Sequence, residues 1–550
     1  MFLSLLLGAA VATAVPTTSE RDSTPVVTVS KGVPDTAGAA VLHPFVSFSI
    51  EFSSFPDYAG LSRRSLDGVY SSRLKEDTNP GNLSQPNEFS NRLLDNLADL
   101  QGVKPYIRVG GNTQDFALYD PNLQTSINGT VAPAVSSDYP YIISIGPSFF
   151  ESYATWPGTK FSHGFNLGKN GTAAMNTLLA TVPLACKALR DGKLAYWELG
   201  NEPDLFKTTT PYPVRPAHWN ESDYVSEWLS KTQIIKRQLM RSCPEMSDQF
   251  IAPSFAALTN SLDPVKTWQS GLDSNHNIKL SSMHNYIGGA DQPGVTLQRT
   301  LMNHTSTVAS VAQHGNLSRV LKSDHLTKDI PYILGETNSL YHQGKPGLSN
   351  SFGAALWAVD FGLYCASQGI RRTHMHQGTN YRYASWQPVP TTDTTIGTKA
   401  PYYGNAMVAA MLRASGARDR ARVQLVNLPM PRDTDAAYAA YVDGRLARIA
   451  VVNLLEYNYT GAGASAHRPT TRYAFRVPGA AASSLSVQRL MANGSDAITG
   501  ISWDGWSYNY ELKGGAPVRL RNVTVGETAP VSSEVVELEL PWSSAAILNF

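Results

Sequence analysis

Between about residue 45 and residue 415 the chain repeats one pattern: a short apolar run, a turn signal, then a longer stretch with helical spacing of apolar residues. The runs are Phe45–Phe52, Pro105–Gly110, Tyr141–Gly146, Leu194–Leu199, Gln249–Pro253, Ile278–His284, Pro331–Gly335 and Ile370–His376. Helical patterns occupy Asn87–Leu100, Ala173–Arg190, Ser222–Arg241, Ser351–Gln368 and Tyr403–Ala414, with stops at Gly102, Gly192, Pro244, Gly369 and Gly416. Short strands alternating with helices build βαβ units and a parallel sheet. Eight such units predict an α/β fold, a (β/α)8 TIM barrel over residues 44–416, with its working face at the carboxyl ends of the strands.

After Gly416 the apolar period changes from helical to alternating. Ala437–Val442, Leu446–Leu455, Thr471–Val477, Ser484–Leu490, Trp503–Tyr510, Val518–Val525 and Glu534–Leu540 read as short strands, with turn signals such as Asp443-Gly444 and Gly514-Gly515. This predicts a C-terminal β-sandwich over 417–550, joined by a strand near Val26–Val29 within an N-terminal segment at 25–43.

The 550-residue length suits two domains. Charged residues are 16% of the chain and the net charge is +1, so no field steers nucleic acid or a strongly anionic polymer. The cluster Arg413, Arg418, Arg420 and Arg422 is interrupted by Asp419 and reads as a solvated helix end. Phe2–Val15 is apolar and closes on Ala12-Thr13-Ala14, too short to span a bilayer; residues 1–16 are expected to be a secretory leader. No later run reads as a membrane span. Asn-x-Ser/Thr sequons at Asn82, Asn128, Asn170, Asn220, Asn303, Asn316, Asn458, Asn493 and Asn522 agree with secretion. The three cysteines, Cys186, Cys243 and Cys365, allow at most one bridge and leave one thiol. None stands at a strand end with a His partner, so a catalytic Cys is not expected.

Two strand ends carry the chemistry. Trp197-Glu198-Leu199-Gly200-Asn201-Glu202-Pro203-Asp204 continues the fourth apolar run into a Pro-stiffened loop. Tyr332-Ile333-Leu334-Gly335-Glu336-Thr337-Asn338 ends the seventh run in the same manner. One strand-end Glu among 44 acidic residues is ordinarily solvated or salt-bridged. Two of them, one preceded by an amide, are what retaining hydrolysis of a glycoside needs. One protonates the leaving oxygen, and the other attacks the anomeric carbon from about 5 Å away. Asn201 is placed to bond a hydroxyl beside that carbon. Asn112, after Gly110-Gly111, is placed for a sugar contact. His284 is expected to orient Glu336 rather than bind metal, since no second ligand completes a set nearby. His374 and His376 share one strand face and read as packing and hydrogen-bonding groups. Tyr381 and Trp386 fit either an aromatic platform for a sugar or core packing.

At these segments, together with Phe45-Val46-Ser47-Phe48-Ser49-Ile50-Glu51, Ile107-Arg108-Val109-Gly110-Gly111-Asn112, Met283-His284-Asn285-Tyr286 and Ser339-Leu340-Tyr341, the chain resembles glycoside hydrolase family 79, the family of β-glucuronidases and heparanase. The resemblance spans essentially the whole mature chain. It implies Glu202 as acid/base and Glu336 as nucleophile, with no cofactor. It also implies that Glu51 bonds the distal hydroxyls of the terminal sugar, against the alternative of an ion pair with Arg108. The sugar's C6 carboxylate would be held by Tyr286, Tyr341, Gln343 and Gly344, although His342-Gln343 stands where some relatives carry glycines. The function so implied is a secreted exo-β-glucuronidase acting on a glycan or small glucuronide, 4-O-methylated or not, with no obligate protein partner. Endo action of the heparanase type would want a basic cleft that this near-neutral chain does not offer. A neutral-sugar β-glycosidase differs only in the pocket, and retention of both glutamates argues against an inactive sugar-binding protein.

Overall fold

The computed structural model describes residues 24–60, 64–65, 85–133, 136–209, 213–414, 421–462, 467–479 and 482–550. The leader at 1–16, the sequon at Asn82 and two of the clustered arginines, Arg418 and Arg420, lie outside the described residues. Eight parallel strands close a barrel in chain order: β1 (Val46–Glu51), β2 (Ile107–Gly110), β3 (Phe161–Phe165), β4 (Leu194–Leu199), β5 (Phe250–Phe255), β6 (Ile278–Gly289), β7 (Tyr332–Tyr341) and β8 (Thr373–Gln377). β8 pairs back onto β1.

One expected strand is misplaced. Tyr141–Gly146 is not in the barrel; Pro140–Ile145 belongs to a four-stranded side sheet with Arg64–Ser65, Ala117–Tyr119 and Ile127–Val131. Its Ile142 is 66% exposed, a face that a barrel strand cannot leave open. The true third strand is Phe161-Ser162-His163-Gly164-Phe165, whose central Ser, His and Gly interrupt the apolar signal. The helices Glu88–Gln101, Gly171–Leu189, Glu221–Ser242, Phe352–Ser367 and Ala400–Met411 stand where the periodicity places them. His304–Ser323 escapes it, because its buried face is built from Thr307, Val311, His314, Gly315, Ser318 and Leu321.

Strand alternation sorts the barrel interior. On β1, Phe48 packs outward on Trp386, while Ser49 faces the axis and accepts from Arg108 of β2 at 3.0 Å. β6 and β7 stay paired as far as Gly289 and Tyr341, beyond the other strands, and raise a lip over one side of the mouth.

The C-terminal domain is an antiparallel sheet folded on itself at Glu527–Ser532, which pairs with Ser484–Met491 on one side and Val535–Pro541 on the other. Val26–Thr28 joins it in parallel with Thr470–Arg476. Three of its strands were not anticipated: Val423–Leu428, Glu527–Ser532 and Ser544–Asn549. Conversely, Trp503–Tyr510 and Val518–Val525 shrink to the short pieces Ser502–Trp503, Trp506–Ser507 and Val518–Arg519. Asp435–Val442 is buried on both faces: Ala437, Ala439 and Tyr441 enter the sandwich core, while Ala436, Tyr438 and Ala440 join the barrel core. There they meet the wholly buried helix Phe352–Ser367, whose Asp360 accepts from the Tyr438 hydroxyl at 2.6 Å.

Cys186 of helix Gly171–Leu189 forms a disulfide with Cys243, the residue capping the end of helix Glu221–Ser242, and Cys365 is a buried free thiol. Gly171–Leu189 has, contrary to the sequence reading, the length and apolar composition of a membrane span. In the fold it is a shell helix, with Leu178, Val182, Ala185 and Leu189 buried in the barrel core.

Candidate active site

An open cavity of about 1470 Å³ occupies the carboxyl-terminal mouth of the barrel and is lined by Glu51, Asn112, Asn201, Glu202, Tyr286, Glu336 and Tyr341 among others. Its floor is an ion network. Arg108 rises from β2 fully buried; its Nε donates to Glu198 of β4 at 2.8 Å and its Nη1 to Glu336 of β7 at 2.7 Å. Nη2 donates to Asn201 Oδ1 at 2.7 Å. A guanidinium stays charged under all working conditions and its fork suits such fixed bonding. Glu198 is further satisfied by the Ser254 hydroxyl at 2.6 Å.

Glu336 receives, besides Arg108, the Tyr286 hydroxyl at 2.8 Å, and His376 Nδ1 lies 3.5 Å away. Burial alone would raise its pKa, but His376, His284, Arg108 and the Tyr286 hydrogen bond outweigh burial and hold it below the usual carboxylate range. His284 is itself driven by burial down to about 4, while at His376 the charge of Glu336 and the bond and charge of Glu51 outweigh burial and raise the pKa.

Glu202 is presented differently. Its backbone is left-handed, φ 51°, and its N–H donates to Ser254 O at 3.0 Å, a strained turn held by its surroundings. The side chain swings over the end of β5 to His284, whose Nδ1 is 2.9 Å from Glu202 Oε1. Burial first, then the negative charge of Glu336, raise the Glu202 pKa above the ordinary carboxyl range. Oxygens of Glu202 and Glu336 lie within 4.8 Å of each other and of a His284 nitrogen. Such a trio could hold a small cation, but the Arg108 guanidinium already supplies Glu336 with its counter-charge. Two facing carboxyls, one kept protonated and one kept ionised at the short separation, can perform retaining glycoside hydrolysis.

Comparison with known proteins decides the family. The chain is 63% identical over 558 residues to a β-glucuronidase of Aspergillus niger, covering 100% of this chain and 98% of that protein. It is 52% identical over 512 residues to a β-glucuronidase of Neurospora crassa, covering 88% of each. Residues 437–547 match the model of the glycosyl hydrolase family 79 C-terminal beta domain. The chain belongs to glycoside hydrolase family 79. In fold it is similar to a 4-O-α-L-rhamnosyl-β-D-glucuronidase from Fusarium oxysporum, solved with Rha-GlcA, at a TM-score of 0.73 and 23% identity over 96% of this chain and 100% of that one.

Within this family 79 barrel, His284, Tyr381 and Gly344 are placed otherwise than expected, and the ion-pair alternative for Glu51 is not formed. Glu51 is not paired with Arg108: its Oε1 accepts from Thr113 N at 2.9 Å and Thr113 Oγ1 at 2.5 Å, and its Oε2 lies 3.4 Å from His376 Nε2. Gly111, φ 95°, makes this possible, since a Cβ there would fall 2.8 Å from Glu51 Oε1. His284 bonds Glu202 rather than Glu336, although it is the register neighbour of Glu336, because the left-handed turn at Glu202 brings that carboxyl over it. Tyr381 does not line the cavity; it is fully buried behind Glu51, donating to Oε2 at 3.2 Å. Trp386 is core packing against Phe48 and Tyr58. The Gly344 N–H is consumed by Leu340 O at 3.0 Å and is no free donor. Tyr341 stands at the cavity rim, 44% exposed, and Gln343 lines the wall. Asn112 and Asn201 are joined at 3.2 Å, and Asn112 donates to the Tyr139 hydroxyl at 3.0 Å.

The sequence reading passed over Arg108 as the cation of the network, His376 beside both Glu51 and Glu336, and the wall residues Tyr139 and Tyr383. It also passed over Asp115, which accepts from Leu167 N, Gly168 N and Asn201 N at 2.7, 3.0 and 2.7 Å and so ties three strand-end loops together. Arg108 and His376 were findable, because both alternate inward with residues already singled out on their strands. Tyr139 and Asp115 lie in loops whose paths no periodicity reveals.

Proposed function

We infer that the chain is a retaining exo-β-glucuronidase that removes terminal β-linked glucuronic acid by double displacement. The observation that carries the mechanism is the carboxyl pair within 4.8 Å whose environments push their proton affinities apart. In this reading Glu336, ionised and aimed by Arg108 and Tyr286, attacks the anomeric carbon while Glu202 gives its proton to the leaving oxygen. The glycosyl ester removes the charge of Glu336, so Glu202 becomes more acidic and then acts as base on the incoming water. The Asn201 amide, with Oδ1 fixed by Arg108 and one Nδ2 proton donated to Asn112 Oδ1 at 3.2 Å, turns its other N–H toward the sugar's 2-hydroxyl. The relatives' named activity supports glucuronic acid as the sugar removed. Glu51, Asn112, Tyr286, Tyr341 and Gln343 surround the space that this sugar would fill.

Secretion belongs to the same proposal. The disulfide suits an oxidising compartment, and Asn170, Asn220, Asn316, Asn458, Asn493 and Asn522 are exposed for glycosylation, while Asn128 and Asn303 are half-buried. The natural substrate is a glycan or small glucuronide; acceptance of a 4-O-methyl group is part of this reading.

A panel of 4-nitrophenyl β-glycosides, with the first-formed anomer followed by NMR, tests the function. The glucuronide is expected to give the highest kcat/KM and to release the β-anomer. A preference for the glucoside or xyloside, or first release of the α-anomer, contradicts it.

A further inference from the structure

Arg382, in the loop after β8, lines the cavity, yet its donors are committed to the protein. Its Nη1 and Nη2 hold the two oxygens of Asp138 at 2.6 and 3.0 Å. Nη2 also donates to His342 O at 3.2 Å, Nε to Gly344 O at 3.1 Å, and the backbone N–H to Gln343 O at 2.8 Å. Three consecutive carbonyls of the loop after β7 therefore end on one residue. That loop is strained: His342, Gln343 and Gly344 have φ of 60°, 59° and 80°. Only the third is glycine, and the left-handed region is unfavourable for the other two. Such a conformation persists only where the surroundings impose it, and Arg382 takes all three carbonyls of this turn, alongside Asp291 on the His342 ring and Leu340 O on the Gly344 N–H.

The clamp also orients donors. In a trans peptide the carbonyl of one residue and the N–H of the next point in opposite directions. Drawing the His342 carbonyl onto Arg382 turns the Gln343 N–H the other way. The next two N–H groups are already used, Gly344 on Leu340 O at 3.0 Å and Lys345 on the Ser349 hydroxyl at 3.0 Å. Among the described residues the Gln343 N–H has no partner, and Gln343 lines the cavity.

We propose that Arg382, braced by Asp138, is a positioning residue that sets the turn at 342–344 to receive the substrate's C6 carboxylate, and thereby sets the preference for glucuronide over glucoside. It rests on the β-glucuronidase reading. The carboxylate gains a charge-assisted hydrogen bond from the aimed N–H that a hydroxymethyl group does not. Lysine cannot replace the fork, because an ammonium is a single point without the geometry to hold Asp138 and two carbonyls together.

The test measures kcat and KM on 4-nitrophenyl β-glucuronide and β-glucoside for wild type, Arg382→Lys and Asp138→Asn, with thermal unfolding of each. The ratio of the two kcat/KM values should fall about tenfold to hundredfold in Arg382→Lys, mainly through the glucuronide KM, and by less in Asp138→Asn. Equal losses on both sugars, or an unchanged ratio in both variants, overturn the proposal. Should Arg382→Lys not fold, Asp138→Asn decides alone, since it weakens the brace and leaves the guanidinium in place. A wild type that prefers the glucoside overturns the underlying functional reading instead.

Discussion

Two histidine–carboxylate pairs, each at 2.9 Å, hold their protons in opposite ways. In the active site, burial drives His284 down to about 4, while burial and the charge of Glu336 raise Glu202. Where the barrel meets the β-domain, His304 faces Asp360, Tyr438 and Tyr364 and bonds Asn427. Burial would lower His304 too, but Asp360 and the hydrogen bonds outweigh it and its pKa is raised. The difference lies in the neighbours. Asp360 accepts from the Tyr438 hydroxyl at 2.6 Å and has no second carboxylate beside it among the described residues of this cluster, whereas Glu202 shares its space with Glu336. The same kind of contact, an imidazole on a carboxyl group, raises the histidine's pKa in one place and leaves it lowered in the other.

The largest effect should come from removing the charge that separates the two pairs. Glu336→Gln is expected to lower kcat by about 10⁴-fold or more on every glucuronide, measured against active-site-titrated enzyme. It should also let the Glu202 pKa fall back toward the ordinary carboxyl range, followed by carbon-13 NMR of the side chain. An unchanged Glu202 titration would break the comparison. Next, Glu202→Ala should cost about 10²–10⁴-fold on alkyl glucuronides, while nitrophenyl glucuronides, whose leaving groups need little protonation, are largely spared.

The pH profile sharpens the contrast. Activity needs Glu202 protonated and Glu336 ionised, so kcat/KM should fall at high pH as the raised Glu202 loses its proton. It should fall at low pH only below the depressed pKa of Glu336. A basic limb in the ordinary carboxyl range would contradict the environment assigned to Glu202. The smallest effect belongs to the other pair. A histidine whose folded pKa is raised contributes stability that is present below its unfolded pKa of about 6.5 and is lost as pH rises through the folded value. His304→Ala should therefore lower unfolding stability by about 1 kcal/mol at pH 5 and by less above neutrality, with kcat/KM unchanged. A loss that grows with pH would reverse the assignment.

The contrast also separates what sequence shows from what it hides. Seven barrel strands and both glutamates were legible, because buried parallel strands are continuous apolar runs and the catalytic groups stand where those runs end. β3 was hidden by its own His163 and Gly164, and Ile142 in the side sheet mimicked it. His284 was placed beside the wrong carboxylate because strand register points it at Glu336, and only the positive φ of Glu202 redirects the partner. Tyr381 and Trp386 stay open between platform and core packing in sequence, since aromatic content cannot distinguish a sugar-facing ring from one buried behind Glu51 or on Phe48. Backbone excursions and loop paths are set by tertiary contacts such as Asp115 with Asn201, and these leave no periodic trace.

The central claim is that Glu336 becomes covalently bonded to the sugar while Glu202 only moves protons. A glucuronosyl fluoride carrying fluorine at C2 slows both steps of the reaction, the second more than the first, and lets the glycosyl-enzyme accumulate. Peptide mass mapping of the inactivated enzyme should find the label on the peptide containing Glu336 and nowhere else. A label on Glu202, or complete inactivation with no covalent adduct, would contradict the account.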